Sequence, residues 1–466
     1  MSSLGVLHRA LRSARTPLLY RLGAVDAIRT NSTNARKGPS VGRNVVLVEG
    51  VRTPFLLAGT DYKNLMAHDL QRLAFQGLLK RTGLSPDHVD QILVGTVIQE
   101  VKTSNIAREA ALAAGFGDRI PCNTVTMACI SSNMAIASGF CQIAAGHSDV
   151  VVAGGVELMS DVPIRLSRGM RKALLDANKA KSTLSRLSTM FGALKNLGLE
   201  LPAISEFSTN ETMGHSGDRL AAAFGVSRME QDDYGRRSHS LAHEAFKAGL
   251  LQDLLTVYLP GSGKPIGADN GIRVSTPEQM AKLKPAFVKP YGTVTAGNAS
   301  FLTDGASATL LMSEEKALQL GFKPKAYLRD YVFVAQDPKD QLLLGPAYAT
   351  PKLLDKAGLK LSDIDVFEYH EAFAGQILAN LKAMDSDFFA QTYLKRPGKV
   401  GLIPLDKLNT WGGSLSIGHP FGATGCRLVT TAANRLRKEG GRYALVAACA
   451  AGGQGHAMLV EHYPSK

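Results

Sequence analysis

The sequence predicts an α/β protein, helices layered on mixed sheet, built from two copies of one unit with a helical segment inserted between them. Three observations carry this. Short apolar runs alternate with segments of helical period, the pattern of buried strands and covering helices. The order of elements early in the chain returns late in the chain. A long stretch between the two copies has a different texture from either.

In chain order, Asn44–Val51 reads as the first strand and runs into Arg52-Thr53-Pro54. A helix is expected around His68–Arg81, then a turn over Gly83–Asp90 and a strand at Gln91–Val97. Helix follows at Ser104–Ala114, then the segment around Cys129, a helix over Ser132–Ala145 and a strand at Asp149–Ala153. The repeat shows in two blocks. Gly83–Ile92 matches Gly358–Phe367 at an offset of 275, and Ala128–Gly155 matches Ala423–Ala450 without gaps at an offset of 295. Duplication has a chemical consequence, because equivalent turns of the two copies can face one shared pocket. The resulting organisation is a leader over 1–43, an N-terminal half over 44–160 completed by 285–325, an inserted loop domain over 161–284, and a C-terminal half over 326–466. At 466 residues the chain can bury a large core.

The net charge of +13 does not point to nucleic acid. Residues 1–43 carry eight basic side chains against Asp26 alone, so +7 of the total belongs to that segment. It is rich in Arg and Ser, nearly free of acids and compatible with helix, the marks of a mitochondrial transit peptide. The C-terminal Tyr-Pro-Ser-Lys is not a peroxisomal address. No apolar run approaches the roughly 18 residues that span a bilayer. Within the insertion, residues 165–195 carry eight basic residues against Asp176, and Leu184, Leu187, Phe191 and Leu194 fall near one helical face. Basic and amphipathic together suit an anionic membrane surface or a partner; a solvated helix packed on its own domain is the plainer alternative.

Five cysteines, odd in number and without a Cys-x-x-Cys pair, argue against a disulfide scaffold and against zinc. Reactive side chains stand in three small-residue segments. Thr126-Met127-Ala128-Cys129-Ile130-Ser131-Ser132-Asn133 enters a helix, where unsatisfied N–H groups and the helix dipole favour a thiolate or an oxyanion. Gly412–Gly425 holds His419 among tight-turning glycines, and an imidazole beside a cysteine can take its proton. Ala448-Cys449-Ala450-Ala451-Gly452-Gly453 follows a strand, at the edge where α/β proteins build sites. A fourth segment, Glu368-Tyr369-His370-Glu371-Ala372-Phe373, lacks the second histidine of a zinc-protease helix. Taken singly, each cysteine or histidine here could equally be structural.

Jointly, Cys129 in its turn, His-Glu-Ala-Phe, Gly-His-Pro-x-Gly and Cys-x-x-Gly-Gly, in this order, resemble the thiolase family. Gly292–Ser300 and Asp304-Gly305-Ala306 look like its coenzyme A loop, and Glu49–Phe55 and Gly154–Ser160 also fit. The likeness covers roughly residues 44–462. It implies a layered α/β/α/β/α fold and a 3-ketoacyl-CoA thiolase. Cys129 would be the nucleophile and Cys449 the acid/base. His419 would activate Cys129 and, with His370, bind the thioester oxygen. The backbone N–H groups of Cys129 and Ala451 would form the other oxyanion site. Ser300, Ala372 and Phe373 would line the pantetheine channel. Coenzyme A is then a substrate, and neither a cofactor nor a metal is expected.

Three departures mark this chain: His370 where most thiolases have Asn, Ala451 where a glycine run begins, and Phe301 where Gly usually follows Asn-Ala-Ser. The first and third resemble the long-chain thiolases of mitochondrial β-oxidation, which partner a hydratase/dehydrogenase α subunit on the inner membrane. A homodimeric core is expected with that likeness. An acetoacetyl-CoA thiolase and a non-catalytic thiolase-like lipid-binding protein remain alternatives; a ketoacyl synthase would use one cysteine and two histidines, which Cys449 disfavours.

Overall fold

The computed structural model describes residues 42–464, apart from 194–196, 203–204, 260 and 262. The expected leader lies outside the described residues except for its last two, as do Leu194 and Lys195 of the basic stretch. Fourteen strands follow in chain order: β1 Val45–Arg52, β2 Leu56–Leu57, β3 Gln91–Gly95, β4 Cys122–Val125, β5 Val150–Glu157, β6 Arg165–Leu166, β7 Leu199–Glu200, β8 Val257–Tyr258, β9 Pro265–Ile266, β10 Thr303–Ser313, β11 Ala326–Ala335, β12 Val366–Tyr369, β13 Tyr443–Ala450 and β14 Gln454–His462.

Nine of them form a single sheet in the order β12-β13-β14-β11-β1-β10-β5-β3-β4, with β2 added to β10. Its two halves are copies: β1-β10-β5-β3 repeats as β11-β14-β13-β12. The copies meet where Val45–Leu47 pairs antiparallel with Ala326–Leu328. Each copy carries an irregularity at the same place in its first strand, between Leu47 and Glu49 and between Leu328 and Asp330. The repeat read at the offset of 275 is equally plain. Gly83 and Gly358 each end a helix at φ +68°, and each leads through a short 3-10 turn into β3 or β12.

Alternation along the strands sorts side chains into separate cores. Val46 and Val48 of β1 join the core under the helices Ala67–Thr82 and Ile106–Ala114, while Val45 and Leu47 point to the opposite face. On that face lie the helices Ser131–Ala144 and Thr424–Glu439, which pack on both half-sheets and on each other. The helices Gly345–Ala357 and Ala374–Met384 cover the remaining face of the second half. That stacking gives the expected layers.

Two local readings needed correction. Strand β5 continues through Gly154-Gly155 to Glu157, past the expected end at Ala153. Those glycines make room instead of a turn: a Cβ at residue 155 would sit 1.9 Å from the Gly422 carbonyl oxygen of the other copy. Strand β4 was not foreseen. It is four half-exposed residues long, and Cys122-Asn123-Thr124-Val125 has little apolar pattern to announce it.

The insertion carries the small sheets β6–β7 and β8–β9 and the helices Arg168–Lys179, Thr183–Ala193, Met213–Ala223 and Arg228–Lys247. Its later part is tied down, with Leu220 and Tyr234 inside the core of the C-terminal half. The first two helices are not: Leu184 is 79% exposed and Phe191 68%. Among the described residues no helix is long and apolar enough to cross a membrane.

Candidate active site

Cys129 sits on a strained turn. Ala128 before it has φ +47°, a region that costs an L-residue about 1–2 kcal/mol. Ser131 holds the turn closed by accepting from the Met127 N–H at 2.8 Å and donating to the Ala128 carbonyl at 2.6 Å. The helix starts two residues later, at Ser131. Cys129 is partly exposed as a residue, yet its thiol faces protein, and burial pushes it up to about 11. The backbone N–H groups of Ala451 and Cys129 pull the other way, and the Glu157 charge adds to the rise. The thiolate expected from the helix terminus is therefore not the resting form.

The two copies press together behind this turn. Ser132 accepts a hydrogen bond from the Cys426 N–H at 3.1 Å, helix to helix. Glu157, at the end of β5, accepts from Val97 and Ile98 of its own half and from Gly422 of the other, at 2.9–3.1 Å. Glu157 was not singled out from the sequence. A carboxylate closing an apolar strand was the available signal.

His419 and His370 complete the cluster. Their rings stand 4.0 Å apart, and one nitrogen of each lies with the Cys129 sulfur in a group spanning no more than 4.8 Å. His419 is held through its own N–H on Thr303 Oγ1 at 3.0 Å and through Nδ1 on Thr424 Oγ1 at 2.7 Å. Thr424 gives its single hydroxyl proton to the Pro420 carbonyl, 2.9 Å away. Its oxygen must then accept from His419, which puts the imidazole proton on Nδ1 and leaves Nε2 a bare lone pair. His370 is held less strictly. Ser414 accepts from Arg427 Nη2 at 2.8 Å and meets His370 Nδ1 at 3.0 Å, and its hydroxyl can give a proton to that nitrogen or accept one from it. When Ser414 donates, His370 carries its own proton on Nε2 and can donate from there. Neither Nε2 has a partner among the described residues. Burial, with Arg427 nearby, pushes His419 down to about 3 and holds His370 well below the usual histidine range. Both rings are neutral; His419 offers a base, and His370 offers a donor in the tautomer that takes the Ser414 proton on Nδ1.

Cys449 comes from the end of β13 and is buried. Burial first, and then the neighbouring Cys129, raise its thiol far above the ordinary range. The expected channel residues also come together. Ser300 donates its N–H to the Ala372 carbonyl at 3.0 Å, Ala374 donates to Asn298 at 2.9 Å, and residues 299 and 373 form a bridge. Phe301 lies over Gly271 and Gly418, the space that lets an aromatic ring stand at this position. Glu371 turns away from the cluster, accepting from Ser238, Asn409, Tyr234 and the Leu415 N–H at 2.7–3.3 Å; it braces the His419 loop. Ser414, Thr424 and Arg427, which orient the imidazoles, were not singled out as functional. They look like ordinary helix residues until the fold turns them inward.

Two thiols and two neutral imidazoles at the junction of a duplicated sheet define a class. Residues 45–315 match the N-terminal domain of thiolases and residues 322–462 the C-terminal domain, so the chain belongs to the thiolase family of acyltransferases. It is 67% identical over 458 residues to the mitochondrial trifunctional enzyme subunit beta of Bos taurus and of Homo sapiens, covering 98% of this chain and 96% of each relative. A probable 3-ketoacyl-CoA thiolase of Caenorhabditis elegans is 62% identical, covering 94% of this chain and 99% of that one. The crystal structure of human mitochondrial 3-ketoacyl-CoA thiolase in complex with CoA superposes with TM-score 0.77 at 30% identity, covering 90% of this chain and 98% of that one.

Proposed function

We propose that the chain is a 3-ketoacyl-CoA thiolase of mitochondrial fatty acid β-oxidation, acting on long acyl chains. The observation that carries this is the Cys129 sulfur grouped within 4.8 Å with one nitrogen of each imidazole, next to a second thiol.

The reaction follows from the proton inventory. Cys129 passes its proton to the bare Nε2 of His419 as its sulfur attacks the 3-keto carbon. The developing oxyanion takes hydrogen bonds from the backbone N–H groups of Cys129 and Ala451. The C2–C3 bond then breaks and leaves the enolate of acetyl-CoA, whose thioester oxygen is met by the donor Nε2–H of His370 and the now protonated His419. Cys449 gives its proton to the carbanion. Its thiolate next takes the proton of incoming coenzyme A, and the coenzyme A thiolate removes the shortened acyl group from Cys129. His419 returns its proton to Cys129. Ser300, Ala372 and Phe373 line the pantetheine channel. Coenzyme A is a substrate, and the scheme calls on no cofactor.

The chain works in mitochondria beside a hydratase/dehydrogenase α subunit, on a homodimeric core. Support comes from the relatives named as trifunctional enzyme subunits. The basic stretch of residues 165–195, with Leu184 and Phe191 exposed, makes a contact with the inner-membrane surface or with the α subunit. Liposome binding that survives neutralisation of those basic residues would remove the membrane contact.

The direct test is mass spectrometry of the protein mixed with 3-ketohexadecanoyl-CoA and no free coenzyme A. An acyl adduct on Cys129, absent from Cys129→Ala, is expected. Turnover of the C16 substrate below that of acetoacetyl-CoA would overturn the long-chain assignment.

A further inference from the structure

The cluster that performs this chemistry has a second capacity. Three donor atoms, the Cys129 sulfur and one nitrogen each from His370 and His419, arrive from separate stretches of chain and lie within 4.8 Å of one another. Both imidazoles are buried, at 0% and 3% exposure, and both are anchored through Nδ1, by Ser414 and Thr424. Their Nε2 atoms are buried and have no partner among the described residues. A borderline-soft cation prefers this donor set, thiolate and neutral imidazole, with each imidazole steadied through its other nitrogen.

We propose that Cys129, His370 and His419 form an inhibitory site for zinc, in which the metal caps the nucleophile. Tetrahedral zinc holds thiolate at about 2.3 Å and imidazole at about 2.0–2.1 Å, so its donors stand roughly 3.3–3.6 Å apart. Side-chain movement on the order of 1 Å brings a group spanning at most 4.8 Å to that geometry. Binding converts the Cys129 thiol to a thiolate and releases its proton to solvent. His419 already presents a lone pair. His370 coordinates through Nε2 with its proton on Nδ1, where the Ser414 hydroxyl accepts it, so no second proton leaves. Water fills the fourth position. The site depends on the histidine at 370, where most thiolases carry Asn, a poor zinc ligand. The inhibitory consequence rests on the nucleophile role given to Cys129 above; the binding itself does not.

The test is titration of the full-length assembled protein with Zn2+ by calorimetry in buffers of different ionisation enthalpy. Co2+ serves as the spectroscopic substitute. We expect one ion per chain, about one proton released, and a thiolate-to-cobalt charge-transfer band. His370→Asn should weaken binding at least tenfold. Alkylation of Cys129 in the wild-type protein, which needs no refolding of a variant, should abolish the band. Turnover lost to Zn2+ should return with chelator. Affinity unchanged by alkylation or by His370→Asn, or a cobalt complex without the band, would overturn the site. Zinc held by these three residues with turnover intact would overturn both the inhibition and the nucleophile role of Cys129. Absence of binding would leave that role standing.

Discussion

The two copies of the α/β unit share their strand order, the irregularity in their first strand and a helix that packs on its counterpart, yet they contribute differently to the pocket. At the offset of 295, Cys129 of the first copy falls on Thr424 of the second. One turn presents a sulfur, on a residue that is partly exposed beside the strained Ala128. The equivalent turn presents a hydroxyl that fixes the proton on His419. The first copy therefore supplies the sulfur grouped with the two imidazoles, the atom proposed to attack. The second supplies both imidazoles, the second thiol and the network behind them, all buried. Duplication gives two facing turns, and in the proposed mechanism one reacts while the other orients.

The severest break of this division is to make the turns alike. Cys129→Thr should lower kcat by about 10^4-fold or more, the scale on which nucleophile removal acts in covalent enzymes. The reciprocal Thr424→Cys, added to it, should restore nothing, because residue 424 faces Nδ1 of His419 and lies away from the bare nitrogen. Steady-state turnover of both variants checks this, and recovery in the double variant would sink the division of roles.

Next in size is the pH response of Glu157, the carboxyl that binds one copy to the other. Burial pushes it up to about 7 from an ordinary 4.5, against the pull of three backbone N–H groups. Below 4.5 it is protonated in both folded and unfolded chains and contributes no slope. Between 4.5 and about 7 the unfolded chain has released the proton that the folded chain keeps, so stability falls as pH rises. Above that window the penalty is constant, on the order of 3 kcal/mol. Denaturation midpoints for wild type and Glu157→Gln should diverge across this window in the variant's favour. Parallel curves would mean that Glu157 is already ionised at its lower end.

Gly155→Ala tests the close approach itself. Its Cβ would meet the Gly422 carbonyl oxygen at 1.9 Å, and that atom is backbone in a loop held by Glu157. Overpacking of this kind costs about 2 kcal/mol. A loss of that size in unfolding free energy, with KM rising more than kcat falls, is expected.

Much of this was legible before any coordinates. The repeat showed because Gly83 and Gly358 end equivalent helices, and Cys129 and Cys449 stood out as candidates because they lie in small-residue segments. What escaped was whatever depends on contact across the duplication. Glu157 looks like the end of a strand, Arg427 like a charged helix residue and Ser414 like a turn. Only folding places Arg427 at 1% exposure between Glu368 and Ser414, where its charge adds to the burial that keeps two imidazoles neutral. Burial opposes the pull of the backbone N–H groups on the Cys129 thiol, and it escaped notice for a related reason: a helix terminus is local and visible, while burial is assembled from distant segments.

The smallest effect belongs to the hydroxyl that chooses the tautomer. Thr424→Val keeps the shape of the side chain and removes the acceptor for the His419 Nδ1–H. That N–H is buried, so its loss of a partner costs about 1 kcal/mol, close to a fivefold drop in kcat/KM if the cost falls on the transition state. In the proposed mechanism the demand is greatest there, because His419 becomes cationic on taking the proton of Cys129 and its Nδ1–H bond strengthens. Ground-state binding of coenzyme A involves no such charge, so its affinity should not change. Thr424→Ser, which keeps the oxygen, should recover most of the rate. If valine and serine at 424 behave alike, Thr424 only fills space, and the proton on His419 is placed by something else.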